Sequence, residues 1–355
     1  MSPSELDVDR LLEREPVRFD ETPLTARFAG RAVMVVGAGG SLGGALVELL
    51  LTHGATMVVC AEAHEPSLFR LGLRLRERSG AGAFRLALAD LRDTRRLARL
   101  IAEHAVDTVF QMAAYKHVPL SEEIADQVVS VNLLGTLDLA DAAANAGVGA
   151  YVYPSTDKAV RPPSIYGATK RAVELELMRR DGEGGRCRFR VVRLVNVFGT
   201  AGNVIEVFAR QLAEGRPLSV TDTGMTRYWM TRREATLLLA SAAGLAAAAG
   251  PLLLEVGEPV PLVRTAELLA TLLDRPRPRF EVVGLRPGER LHEELTYPYE
   301  ALEPTELGGV RAARARRPLD DLGAAVAALR QAVEEGDAAR VRRLLAEAVG
   351  AMVAV

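Results

Sequence analysis

Apolar and polar positions along this chain follow two periods, and the switch between them recurs. Ala32–Val36 (AVMVV) is an unbroken apolar run that stops at glycines, the pattern of a strand buried on both faces of a parallel sheet. Leu42–Leu51 then takes helical spacing. Thr56–Cys60, Phe84–Leu88, Val106–Phe110, Tyr151–Tyr153 and Phe189–Leu194 repeat the strand pattern. Helical patterns separate them: Leu68, Leu71 and Leu75 on one face, Thr94–His104, Val128–Ala146 with Asn132 and Gly135, and Ser164–Arg180 after Pro162-Pro163. Strand and helix in rotation predict right-handed βαβ units and an α/β fold, a Rossmann-type doubly wound parallel sheet. The expected divisions are a polar leader at 1–30 with one helical pattern (Leu6–Glu15), the sheet at 31–200, and mainly a smaller C-terminal lobe at 201–355. The two lobes are expected to be discontinuous, with terminal helices over Ala324–Leu345 broken near Gly336-Asp337.

Composition narrows the class. The 355 residues carry 44 Lys+Arg against 46 Asp+Glu, so the net charge of −2 leaves no electrostatic footprint for nucleic acid. A 49% hydrophobic, 25% charged chain is an ordinary globular one. Two cysteines, Cys60 and Cys187, exclude a disulfide framework, and the five histidines show no metal-ligand spacing. The N-terminal residues lack a signal-peptide pattern, so the expectation is a cytoplasmic protein. Thr236–Leu254 is uncharged, but Ala-rich and broken by Gly250-Pro251. It predicts a packed helix, a turn and the strand Leu252–Val256 rather than a membrane span.

Lysine usage is unusual. Of the 44 cations only Lys116, Lys158 and Lys170 are lysines, and they fall within 55 residues. Codon bias explains the arginines and not the clustering. Lysine can lose its proton when buried and act as a base, which arginine cannot.

Gly37-Ala38-Gly39-Gly40-Ser41-Leu42-Gly43 lies between the first strand and the first helix. In that context the glycines let the backbone approach a pyrophosphate at a helix N-terminus. The Gly37, Gly40, Gly43 spacing resembles the extended short-chain dehydrogenase/reductase superfamily. That resemblance places Glu62 on the adenosine ribose hydroxyls, which favours NAD over NADP, although His64 or Arg70 would suit a 2′-phosphate. It also assigns Asp90-Leu91 to the adenine and Ala113-Ala114 to the bend that passes the cofactor.

Tyr166-Gly167-Ala168-Thr169-Lys170 opens a helix, so Tyr166 and Lys170 sit one turn apart on one face. A nearby ammonium favours tyrosinate, which can remove a hydroxyl proton while hydride leaves the same carbon. The preceding strand ends Thr156-Asp157-Lys158, with Thr156 at the superfamily's Ser/Thr donor position. Asp157 and Lys158 add an acid and a base beside an oxidised sugar, which suggests elimination: a base takes the acidic C5 proton while an acid protonates the departing C6 hydroxyl. For Lys158 to act it must be neutral, so burial or nearby cations must lower its pKa.

Several segments resemble the UDP-N-acetylglucosamine 4,6-dehydratases of the polysaccharide-biosynthesis family: Thr156–Val160, Tyr166–Arg171, Ala113–Leu120, Met225–Thr231 and Gly284–Leu295. The resemblance runs over about residues 10–345 and implies a soluble form. It makes Asp157 the acid, Lys158 the base, and Tyr166 and Lys170 the C4 oxidation pair. NAD or NADP would stay tightly bound and be recycled, with Lys116 and Asn132 near it. The substrate would be a UDP-sugar, with inversion at C5. Arg227 and Arg286 suit its two phosphates. Asn196, Asn203, Val204, Val220 and Glu289 complete the expected contacts, and His117 is either a satisfied buried histidine or an active-site polar group. Gln111-Met112, Val195, Glu206 and Trp229 depart from the family pattern, and the changes are expected to cluster at the sugar pocket. A homo-oligomer is expected, with no nucleic-acid or membrane partner. A 4-epimerase or a 5,6-dehydratase on the same scaffold remains open, as does a non-catalytic dinucleotide-sensing protein.

Overall fold

The computed structural model describes residues 8–350 apart from 79–81, 247–249, 317–318 and 320. Six parallel strands build the central sheet: β1 (Ala32–Val36), β2 (Met57–Glu62), β3 (Phe84–Leu88), β4 (Thr108–Gln111), β5 (Ala150–Thr156) and β6 (Arg188–Leu194). They lie in the order β3-β2-β1-β4-β5-β6, and Leu252–Leu254 pairs parallel beside β6. Val310–Ala315 and Glu300–Pro304 then close that edge antiparallel. The strand order reverses between β1 and β4, and such switch points open a crevice at the carboxyl ends of the strands.

β1 shows why its run is apolar throughout. Val33 and Val35 enter one hydrophobic cluster, with helices Ser41–Thr52 and Glu65–Arg78, while Met34 and Val36 enter the other, with Thr94–Glu103 and Ile165–Gly182. Helices cover both faces, so neither side of the strand meets water. The C-terminal helices Gly323–Glu334 and Ala338–Val349 also pack on this second face, through Leu329 and Leu345. They break at Gly336 (φ +70°), and Asp337 caps the second by accepting from Arg340 N at 2.9 Å. A third cluster lies apart, built from Phe198, Ile205, Phe208, Val220, Trp229, Leu262 and Leu269.

Four expectations need correction. The predicted Leu6–Glu15 helix is a single 3-10 turn, Val8–Leu11, and Leu6 lies outside the described residues. The leader is no polar tail either: Leu11 and Leu12 are buried in the third cluster, and Arg14 makes two hydrogen bonds, 2.7 and 3.1 Å, to Glu234. Thr22–Phe28 is an unpredicted helix, because its proline read as a break; at the first turn proline has no N–H to waste. The predicted Val128–Ala146 helix is π-helical over Val129–Gly135 before it resumes as Thr136–Asn145.

Candidate active site

Gly37 leaves β1 with φ +82°, and a Cβ there would lie 2.6 Å from Ala113 N. A Cβ on Gly43 would stand 2.2 Å from Gly37 O, so both positions require glycine. Gly40 caps helix Ser41–Thr52 without a side-chain hydrogen bond, which leaves the helix N-terminus bare for an anion. Gly37, Gly40, Ser41, Leu42 and Gly43 line one wall of a cleft of about 770 Å³.

The remaining expected cofactor residues divide. Glu62 stands beside this loop and accepts from Gly39 N at 3.0 Å and His64 N at 2.9 Å, which leaves a further lone pair on each oxygen. Ala114 and Lys116 line the cleft. Lys116 reaches across it, donating to Ala201 O, while Ala201 N donates to Ser41 Oγ at 3.0 Å. The segment Thr200–Gly202 thus straps the glycine loop to the far wall, a feature no local motif announces. Three further residues already have partners within the fold. The Asp90 carboxylate is forked by Arg92 at 2.9 and 2.7 Å, and that hydrogen bonding lowers its pKa. Leu91 is buried in the core, and a Cβ on Gly135 would touch it. Asn132 is off the cleft wall and holds the backbone of Tyr115 from both sides, at 2.9 and 2.8 Å. Its π-helical turn aims the amide at that loop, where it ties down the Tyr115 backbone.

The acid–base residues converge. Gly167 lets helix Ile165–Gly182 press on the turn Asp157–Ala159, since a Cβ there would lie 2.2 Å from Lys158 O. Thr156 Oγ1 donates to Asp157 Oδ1 at 2.9 Å and interacts with the Tyr166 hydroxyl. Lys158 Nζ donates to the same Asp157 oxygen at 2.9 Å, and Asp157 Oδ2 is buried without a partner. Lys170 Nζ donates to Pro154 O at 2.8 Å and lies 4.4 Å from the centre of the Tyr153 ring.

The electrostatics overturn two expectations. Burial would lower the Lys158 pKa, but the Asp157 and Glu293 carboxylates outweigh it and raise it, so Lys158 is an ammonium here rather than a neutral base. Burial raises the Tyr166 pKa; the cation that opposes this is Lys158, not Lys170. Lys170 is itself depressed to about 7 by burial.

Glu293 is the residue that sequence reasoning missed. It lines the cleft, its Oε1 is 3.5 Å from Lys158 Nζ, and its Oε2 is buried without a partner. It stood inside the Gly284–Leu295 motif with no local feature to separate it from Glu289 or Glu294.

The opposite wall brings in part of the expected substrate set. His117, Asn196, Asn203, Val204, Arg227 and Glu289 line the cleft. His117 is exposed, which removes its buried reading. Asn203 caps helix Val204–Ala213 through Glu206 N, leaving its Nδ2 without a partner. Arg227 is a clamp more than a free fork: it donates to Thr226 O, Leu291 O and Arg290 O at 2.7–3.0 Å. Arg286 is exposed and off the cleft. Val220 is buried in the third cluster, and the next residue, Thr221, faces the cleft instead. Of the departures, Met112, Val195 and Trp229 line the cleft; Gln111 instead bonds Thr136 in the core, and Glu206 binds Gly202 N.

The strand order, the glycine turn after β1 and the Tyr166–Lys170 helix define the extended short-chain dehydrogenase/reductase fold. A family model described as "Polysaccharide biosynthesis protein" matches residues 33–315, and the chain belongs to that family. The capsular polysaccharide biosynthesis protein CapD of Staphylococcus aureus is 33% identical over 82% of this chain and 49% of its own length. The chain thus spans about half the length of the curated polysaccharide-biosynthesis proteins it resembles. A protein of Campylobacter jejuni named UDP-N-acetylglucosamine 4,6-dehydratase (inverting) is 30% identical over 77% of this chain and 82% of its own. Among solved structures, Pen from Bacillus thuringiensis superposes with a TM-score of 0.72 at 26% identity, covering 82% of this chain and 93% of that one. Among the described residues, no helix is long and apolar enough to cross a membrane.

Proposed function

We propose that this chain is an NAD- or NADP-dependent nucleotide-sugar 4,6-dehydratase, converting UDP-N-acetylglucosamine to a UDP-4-keto-6-deoxy-hexosamine with inversion at C5. One observation carries the reading: Asp157 and Lys158, 2.9 Å apart, stand beside Tyr166 at a cleft that also holds the glycine loop. Oxidation at C4 needs only the tyrosine and its lysine; elimination needs a further acid and base. The name of the Campylobacter relative supports the substrate class and the C5 outcome.

The residues fit a dinucleotide, because Gly37 and Gly43 bare the backbone and helix Ser41–Thr52 offers its open N-terminus. Bound there, the nicotinamide supplies hydride removal at C4 and hydride return at C6. Tyr166, oriented by Thr156, takes the C4 hydroxyl proton. Lys158 passes a proton to Asp157 across their 2.9 Å contact, and the amine so formed takes the C5 proton. Asp157 protonates the C6 hydroxyl, which leaves as water, and a C5–C6 double bond forms beside the C4 ketone. The C5 proton returns on the opposite face.

The test is mass spectrometry of products from UDP-N-acetylglucosamine in heavy water. Loss of one water with gain of deuterium at C5 is expected. An unchanged mass with the C4 epimer formed would instead establish an epimerase.

A further inference from the structure

Strand Trp229–Met230 forms a two-stranded sheet with Asn196–Val197. The carbonyls of Tyr228 and Met230 accept from Asn196 N at 3.2 Å and Phe198 N at 2.9 Å, so Trp229 O, between them, faces the other way. An arginine meets it there: Arg14 Nη2 donates to Trp229 O at 3.1 Å. The same guanidinium forks onto Glu234 at 2.7 and 3.1 Å. The Glu234 side chain is 3% exposed and accepts twice more, from Val17 N and Thr231 N at 2.8 Å each. Arg14 reaches this place from a leader whose Leu11 and Leu12 are buried in the third cluster with Trp229. Between Leu12 and Arg14, Glu13 takes φ +53°, a conformation that is costly outside glycine and persists where the neighbours fix it.

The strand so held carries part of the cleft wall. Trp229 lines the cleft and stacks on Phe198 with ring centres 4.4 Å apart. Arg227 lines it too, and clamps the carbonyls of Arg290 and Leu291 in the loop that brings Glu289 and Glu293 to the cleft. The dinucleotide loop is built on other elements, β1 and helix Ser41–Thr52. We propose that Arg14 is a positioning residue for the substrate wall: it holds Trp229 from the open edge of its strand, and so sets Arg227 and the loop at 289–293 against the nucleotide sugar. Residues 11–17 of the leader then belong to the substrate-binding lobe. A guanidinium suits the task, because its planar fork meets both oxygens of a carboxylate and still reaches a carbonyl, a geometry an ammonium does not offer. This rests on the nucleotide-sugar reading of the cleft.

The experiment compares the wild type with Arg14→Met and Arg14→Lys. With UDP-N-acetylglucosamine, KM should rise about tenfold in Arg14→Met, equivalent to about 1.4 kcal/mol, while kcat and dinucleotide affinity stay within about threefold of wild type. Arg14→Lys keeps the charge beside Glu234 and should raise KM less. The chain has one tryptophan, so fluorescence reads the wall directly. Trp229 emission without substrate should shift in Arg14→Met, whose strand has lost its outer hold. An unchanged KM or an unshifted emission in folded Arg14→Met would overturn the proposal. So would an equal loss of substrate and dinucleotide affinity, which marks a general loosening, or a Lys variant no better than the Met variant. Arg14→Met strands a buried carboxylate. If that variant does not fold, Arg14→Met combined with Glu234→Gln leaves no unpaired charge and takes its place, with the same expectations. If wild type does not turn over UDP-N-acetylglucosamine, the substrate reading fails instead, and the Trp229 emission alone decides the role of Arg14.

Discussion

Arg193 and Glu174 meet through two hydrogen bonds, 3.0 and 2.8 Å, with neither side chain exposed. Glu300 adds two more to the same guanidinium at 2.9 and 3.2 Å. The pair joins β6 to the helix that carries Tyr166 and Lys170, and Glu300 extends the tie to the antiparallel edge strand. A charge network this deep is an alignment device for the catalytic helix, because removing one member strands the others. Arg193→Met should therefore lower unfolding free energy by about 3–5 kcal/mol. Urea denaturation measures it, and a loss under about 1 kcal/mol would show that the carboxylates find other partners.

The glycine loop makes a sharper prediction. Gly37→Ala adds a Cβ 2.6 Å from Ala113 N at φ +82°. The loop must open, and the cradle for the pyrophosphate opens with it. Dinucleotide affinity should fall by roughly tenfold or more, equivalent to about 1.4 kcal/mol. Calorimetric titration of NAD and NADP reads this, and unchanged affinity for both would mean that the pyrophosphate lies elsewhere.

Lys170 makes stability depend on pH. Burial depresses its pKa to about 7, against 10.5 ordinarily. Between those values the unfolded chain binds more protons than the folded one, so stability rises with pH across that window. The contribution is least favourable below about 7, where the buried ammonium persists in the fold. Lys170→Met should flatten this rise. Urea midpoints compared near neutral and near pH 9.5 give the test, the latter being roughly inside the window. The same slope in both proteins would count against it.

Lys116 bridges the cleft to the Ala201 carbonyl, next to the Ala201–Ser41 contact. A hydrogen bond from a charged donor contributes about 1.5–3 kcal/mol. Lys116→Met should loosen the strap and speed release of bound dinucleotide by roughly tenfold or more. Stopped-flow release of the reduced cofactor, followed by its fluorescence, would show this. An unchanged rate would mean that the strap does not gate the cofactor.

The sheet, its helices and the glycine turn were legible in the sequence because each is local. A strand buried on both faces leaves an unbroken apolar run, and a backbone too close for a Cβ leaves a glycine. Tyr166 with Lys170 and Asp157 with Lys158 were legible for the same reason, one turn or one residue apart. Partnership across the fold was not. Nothing in the sequence separated Arg227, on the cleft, from Arg286, outside it, or Thr221 from Val220, because strand phase and loop packing decide which side chain turns inward. Nor could it say that the Lys158 ammonium would be held charged, since that depends on Asp157 turning onto Nζ and on Glu293 arriving from a distant loop. Charge state is a sum over neighbours in space, and only the tertiary structure supplies those neighbours.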